Sequence, residues 1–314
     1  MNKVSTYLLS LILSILLVLA LFGSVAMSIA DINVTAKKAK ALAEKKDVSA
    51  KILTQIDKYY REQSASTGIP ASVFTDNISE EYIQSVLETY IDGTFTSLKD
   101  DHSLNVKVPK NEAMEMALDT FFNDYADSTG YEKDEAFYNK LETTKANAYK
   151  YIGSACDIYK ASSLGKHGLL RKASKIYRLR PLLTFASVGG AVLLMLFILA
   201  VNRRDKKTFL YWTGISAVIA GIFGTVPSIY LVGTEYFDSF SIKQPQVFIA
   251  YTTSMYRLTE AFMAASIALF VIGAALIVMY AVFYGKHKHL SENDPVLSIP
   301  GSEKNESKEK KNID

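Results

Sequence analysis

The sequence is poor in the residues that build cross-linked or metal-binding proteins. It has one cysteine, Cys156, and four histidines in 314 residues. A single cysteine excludes an intrachain disulfide, and no histidine has cysteine or carboxylate neighbours at the spacing of a structural zinc site. At most, His287 and His289, followed by Glu292 and Asp294, would form a weakly chelating run. We therefore predict no bound metal and no other cofactor.

Sequence motifs of common enzymes are also missing. There is no glycine-rich phosphate loop and no Gly-x-Ser-x-Gly nucleophile elbow. The adjacent carboxylates Glu80 and Glu81 follow Ser79 in polar surroundings, a pattern typical of a helix N-terminus rather than of acid–base catalysis. Acids and bases are equal in number over residues 31–180, so no excess of basic residues indicates nucleic-acid binding. We predict a protein that is not an enzyme and does not bind nucleic acid.

Acidic and basic residues are absent from four windows, residues 4–30, 181–201, 208–232 and 261–285. Each window exceeds the roughly 20 residues that a helix needs to cross a bilayer. Only a helix or a closed barrel satisfies its backbone in lipid. The sequence therefore predicts an all-α membrane protein with four transmembrane helices. The lack of ionisable side chains in these windows argues against proton-coupled transport.

The first window has two interpretations. Lys3 followed by a long apolar run is typical of a secretory signal peptide, with Ser28 and Ala30 as small residues suited to cleavage. The apolar run over residues 7–29 is, however, longer than the roughly 7–15 residues usual in a signal peptide. We predict an uncleaved transmembrane anchor over residues 1–30, with a cleaved signal peptide as the alternative.

The distribution of basic residues predicts the orientation. Residues 203–207 form a short basic turn between the second and third windows, and Lys286 and Lys288 follow the fourth. Short basic segments remain in the cytoplasm. Both termini are therefore predicted to be cytoplasmic, with residues 31–180 outside. An exported domain without a disulfide is more common in bacteria than in animal secretory proteins, which favours a bacterial plasma membrane.

Helical periodicity recurs through residues 31–180. Two apolar stripes are Ala117, Phe121 and Tyr125, and Phe137, Leu141, Ala148 and Ile152. Helix breakers separate the stripes at Gly68, Gly130 and Gly168. Helices that each carry one apolar stripe bury it by packing together, so we predict a helical bundle in which the first helix continues from the membrane anchor.

The last part of this region is strongly basic. In residues 168–180 the side chains of Arg171, Lys172, Lys175 and Arg178 lie opposite an apolar face. This pattern is typical of a helix at a membrane surface, with its bases on the lipid headgroups. The alternative is an ordinary basic helix that leads into the second span.

Four tyrosines lie off the main apolar stripes: Tyr59, Tyr82, Tyr138 and Tyr151. Exposed aromatic side chains on rigid helices are suited to binding a partner. We predict a partner-binding surface at these tyrosines, and the alternative is that they complete the core of the bundle.

The chain thus divides into an anchor over residues 1–30, an extracytoplasmic helical domain over 31–180, a three-helix membrane region over 181–285, and a tail over 286–314. The tail is rich in Ser, Glu, Lys and Asn, and we predict it to be disordered. The external connection over residues 233–259 is rich in Tyr and Phe, which predicts anchoring at the membrane interface.

The order of one span, an outer domain and three spans resembles the cell-division and macrolide-exporter class of ABC-transporter permeases. That resemblance implies a transport component, but it is one of topology alone. The plan is also similar to a chemoreceptor sensor region, although no cytoplasmic signalling coiled coil follows. We predict an integral membrane protein whose outer domain binds a partner protein, envelope component or ligand, as an accessory subunit for example. A transport or channel component is the first alternative, and a membrane enzyme the second.

Overall fold

The computed structural model describes the backbone of residues 3–100 and 104–292, and side chains as far as residue 284. Within these residues every regular element is a helix, as the sequence predicts. The α-helices are α1 Lys3–Asn33, α2 Ala36–Lys45, α3 Val48–Thr67, α4 Ser72–Thr75, α5 Glu80–Asp100, α6 Glu112–Thr129, α7 Glu135–Cys156, α8 Ala161–Lys166, α9 Leu169–Val201, α10 Lys207–Gly233 and α11 Pro245–Glu292.

Four of these helices, α1, α9, α10 and α11, are long and apolar enough to cross a membrane, which confirms the four predicted spans at this level. They pack together with α1 in contact with the other three. Two polar contacts join helices inside this group: the hydroxyls of Ser14 and Ser216 lie 2.7 Å apart, and Asn202 Nδ2 donates to Ser10 Oγ at 2.9 Å. Such bonds hold neighbouring helices together where apolar burial adds little.

The pair α10 and α11 packs through glycine. A Cβ atom at Gly221 would lie 2.7 Å from the backbone nitrogen of Phe270, and one at Gly273 would lie 2.6 Å from the backbone nitrogen of Val218. Any larger residue would therefore push the two helix backbones apart, since carbon contacts need about 3.5–4.0 Å. The helix α10 runs unbroken through Pro227.

Helices α2 to α8 form a second unit between the first two spans, which we call the inserted domain. Its core includes large apolar side chains that are fully buried. These are Ile52, Ile56, Ile83, Leu87, Met114, Leu118 and Ile152. Local signals set the helix ends, as Asn111 Oδ1 accepts from Met114 N and Asp134 Oδ1 accepts from Phe137 N. The predicted cap also forms, with Ser79 Oγ accepting from Tyr82 N at 3.2 Å.

Two predictions about this domain are wrong. The first domain helix does not continue from the anchor: α1 ends at Asn33, and Thr35 caps a separate helix α2. The guanidinium of Arg180 contacts this end, since its Nη1 donates to the carbonyl of Val34 at 2.6 Å. A second break follows at Asp47, which adopts a left-handed conformation before α3.

The other wrong prediction is the buried face of α6. The structure buries the series one residue further along than predicted, and Tyr125 is 58% exposed. The buried residues are Met114, Leu118, Phe122 and Ala126. Two series with the same four-residue period differ by about 100° around a helix, so periodicity alone does not separate them. The stripe predicted for α7, which includes Leu141 and Ile152, is buried.

Two helices run across the predicted domain boundaries. There is no break near residue 180, because α9 runs from Leu169 through Pro181 to Val201. The predicted connection 233–259 is mostly helix, since α11 begins at Pro245 and its first turns pack against the inserted domain. The helix α11 also continues to Glu292, past the predicted start of the tail. The remainder of the tail lies outside the described residues.

Candidate ligand cavity at the domain junction

A cavity of about 350 Å³ lies where the inserted domain meets the long helices. We call it the junction cavity. It is bounded by the end of α1, by α2, α5 and α8, and by the first turns of α9 and the early part of α11. Its volume is within the range of small-molecule sites, which is about 300–1,000 Å³.

The walls of the junction cavity are mainly apolar. The large apolar side chains come from five different elements. They are Leu42, Phe95, Leu98, Leu164, Leu170, Met255 and Leu258. Ala173 of α9 also lines the cavity and is itself exposed, so it marks the mouth. Walls of this kind suit an apolar chain.

Two cations line the same cavity. Lys38 of α2 and Arg257 of α11 are both half-buried. Among the described residues, no carboxylate forms an ion pair with either of them. A half-buried cation without a counter-charge attracts an anion more strongly than one in bulk water. The lining of the cavity therefore combines apolar side chains with two cationic residues.

Contacts between the two units keep the cavity walls in place. The Tyr251 hydroxyl of α11 donates to the carbonyl of Tyr159 at 2.9 Å. The Ser174 hydroxyl of α9 donates to the carbonyl of Leu98 at 2.8 Å, which ties α9 to the end of α5. Ala250 of α11 is buried in the core of the inserted domain. The long helices and the domain are thus joined on two sides of the cavity.

The cavity lies at the ends of the charge-free windows. Asn33 and Arg257 lie within four residues of the first and fourth windows, and Ala173 lies eight residues before the second. The cavity thus lies near the ends of three helices that are long and apolar enough to cross a membrane.

The four predicted surface tyrosines do not form one surface. Tyr59 and Tyr151 stack on each other with ring centroids 3.6 Å apart, and the Tyr82 hydroxyl donates to the carbonyl of Pro109 at 2.7 Å. All three are packed against the domain core. Only Tyr138, at 53% exposure, presents most of its ring to solvent. A partner surface on these residues stays a prediction, and it depends mainly on Tyr138.

The predicted interfacial segment is the first part of α9 rather than a separate helix. Arg171, Lys172, Lys175 and Arg178 are exposed, while Leu170 on the opposite side is buried against the domain. The unbroken helix favours the alternative of a basic helix that leads into the second span. Contact of these bases with lipid headgroups stays a prediction.

The one cysteine is unsuited to nucleophilic chemistry. Cys156 is fully buried at the end of α7, and this burial raises the pKa of its thiol to about 12. The thiolate is the reactive form of cysteine, so the side chain is inert near neutral pH. Cys156 therefore serves as part of the core.

Sequence reasoning missed the junction cavity. Its lining residues are spread from Asn33 to Leu258, and no two neighbouring motifs point to it. The only available signal was the position of Lys38 and Arg257 just beyond charge-free windows. No protein family model, characterised protein or solved structure matches this chain.

Proposed function

We propose that this chain is a membrane-anchored binding protein and that its junction cavity holds an anionic amphiphile of the surrounding membrane. The apolar part of the ligand occupies the cavity, and its charged group pairs with Lys38 and Arg257. The single observation that carries the proposal is that two cations without an ion pair line a cavity with apolar walls, and in the proposed arrangement this cavity opens at the level of the headgroups. A lipid with a phosphate or carboxylate headgroup has both matching parts.

The proposal includes the orientation predicted from the basic segments. The inserted domain lies outside the cytoplasm, both termini lie inside, and the membrane is a bacterial plasma membrane. The first helix remains as an anchor, which is supported by its central packing: Leu17 of α1 is fully buried among the other long helices. Binding, rather than catalysis, agrees with the absence of catalytic sequence motifs.

The test is retention of lipid by the full chain. The protein is purified in a neutral detergent, mixed with equal amounts of phosphatidylglycerol and phosphatidylcholine, and analysed by native mass spectrometry. We expect the wild type to retain phosphatidylglycerol. Ala173→Trp fills the mouth of the cavity and should abolish retention, whereas Ala186→Trp, on an exposed lipid-facing part of α9, should leave it unchanged.

A second variant tests recognition of the ligand's charged group separately from binding of its apolar part. Replacing Lys38 and Arg257 together by Gln should remove the preference for the anionic lipid while some lipid is still retained. If Ala173→Trp retains phosphatidylglycerol as well as the wild type does, the cavity is not the binding site and the proposal is wrong.

A further inference from the structure

A second concave surface lies on the other side of the turn between α7 and α8. This groove has a volume of about 690 Å³. It is lined by five lysines and a single carboxylate, Asp157, and we call it the basic groove. The lysines are Lys107, Lys110, Lys150, Lys160 and Lys166.

The positive charge of the groove is almost uncompensated. Asp157 is buried, and its two oxygens accept from the backbone nitrogens of Ala161 at 2.8 Å and Ser162 at 3.0 Å. Lys110 lies 4.0 Å from Glu115 at one end of the groove. Within the described part of the chain, the other lysines of the groove have no ion pair. Like charges that share a groove repel one another, so an anion bound there would relieve the repulsion.

Lys160 is held inside the groove by the fold. It occupies a left-handed backbone conformation with φ of 51°, and its Nζ donates to the carbonyl of Ser154 at 3.1 Å. Burial lowers the pKa of Lys160 by more than the charge of Asp157 raises it. The ammonium is thus partly dehydrated, and an incoming anion would replace the water it has lost.

We propose that the basic groove binds an anion with several linked phosphate groups. Compact ammonium groups act as point charges for phosphate oxygens. Exposed hydroxyls of Ser154, Ser162 and Ser163 line the same groove and can donate hydrogen bonds. Five lysines share a groove of about 690 Å³, which favours an anion with several charges over a single small ion.

This site is distinct from the junction cavity, although one segment of chain separates the two. Ala161 and Leu164 of α8 line the cavity, whereas Ser162, Ser163 and Lys166 of the same helix line the groove. The two sites therefore share a wall and no lining residue.

The test measures binding of linear tripolyphosphate to the full chain in neutral detergent by titration calorimetry at constant ionic strength. In the groove variant, Lys107, Lys150 and Lys166 are replaced together by Gln. These three lysines are exposed and have no ion pair among the described residues. We expect this variant to lose about 10- to 100-fold in affinity, since each lysine near a phosphate contributes up to about tenfold.

The matched control removes the same charge elsewhere in the inserted domain. Lys37, Lys45 and Lys99 are exposed, line neither site and are replaced together by Gln. This control variant should bind tripolyphosphate like the wild type. The cavity variant Ala173→Trp should also bind tripolyphosphate like the wild type. A wrong assignment of the junction cavity and a wrong assignment of the basic groove therefore give different results.

A second arm distinguishes the source of the phosphate. Thermal stability is compared in nanodiscs of phosphatidylcholine alone and with phosphatidylglycerol added. If the wild type binds tripolyphosphate and the groove variant does not, the ligand is a soluble or polymeric phosphate. Stabilisation by phosphatidylglycerol without binding of tripolyphosphate, again lost in the groove variant, shows that the groove takes single lipid phosphates and overturns the proposal of linked phosphates. Equal responses of the groove variant and the control variant in both arms overturn the proposal.

Discussion

The close approach of α10 and α11 makes a sharp prediction about Gly221. An alanine there would place its Cβ 2.7 Å from the backbone nitrogen and 2.8 Å from the Cα of Phe270. Because these are backbone atoms of the neighbouring helix, relief requires a shift of α11 by about 1 Å rather than a change of rotamer. Overpacking of this kind costs about 1–3 kcal/mol.

A matched control is available in α9. A Cβ atom at Gly189 would have no heavy atom within 4 Å. Both Gly189→Ala and Gly221→Ala gain about 1 kcal/mol of helix propensity, so this contribution cancels in the comparison. Gly221→Ala should therefore be less stable than Gly189→Ala by about 1–3 kcal/mol.

The only tryptophan reports on this part of the molecule. Trp212 is 4% exposed in α10, so its fluorescence should change when the long helices separate. Denaturant unfolding of the two variants in the same neutral detergent gives the difference in free energy. If the two variants unfold within about 0.5 kcal/mol of each other, the helices are not packed at Gly221 as the structure shows.

Three further predictions concern α6, the end of α1 and the orientation. Leu118→Ala should lower the free energy of unfolding by about 2–5 kcal/mol, whereas Tyr125→Ala should change it by about 0.5 kcal/mol or less; the reverse order would restore the stripe predicted from the sequence. Arg180→Gln removes charged hydrogen bonds to the carbonyls at the end of α1 and should cost about 2–4 kcal/mol in the same denaturation assay, and an unchanged midpoint would contradict this role. A phosphatase that is active only outside the cytoplasm should be active when fused after Gly130 and inactive after Arg204, while the opposite result would invert the proposed orientation.

Local features of the fold were predictable because their signals are local. The four charge-free windows predict four spanning helices, since length and polarity alone decide whether a segment suits lipid. Gly68, Gly130 and Gly168 were predicted as breakers, and each adopts a left-handed conformation at or beside a helix end. The cap at Ser79 also formed as its spacing predicts.

The wrong predictions arose where the local sequence was compatible with two different structures. The helix α6 carries two apolar series with the same period, and only the positions of α4 and α7 decide which one is buried. Similarly, the sequence near residue 34 is compatible with a continuing helix. In the folded chain α1 ends at Asn33, and the distant Arg180 donates to the carbonyl of Val34 just beyond it.

The amino-acid sequence by itself determined which segments are helical and which of them are apolar enough for a membrane, because both properties depend on residues a few positions apart. Only the tertiary structure decided where the two proposed ligand sites lie. The junction cavity joins Lys38 to Arg257, and the basic groove joins Lys107 to Lys166. Residues so far apart in the chain carry no shared periodicity, so the packing of helices alone brings their charges together.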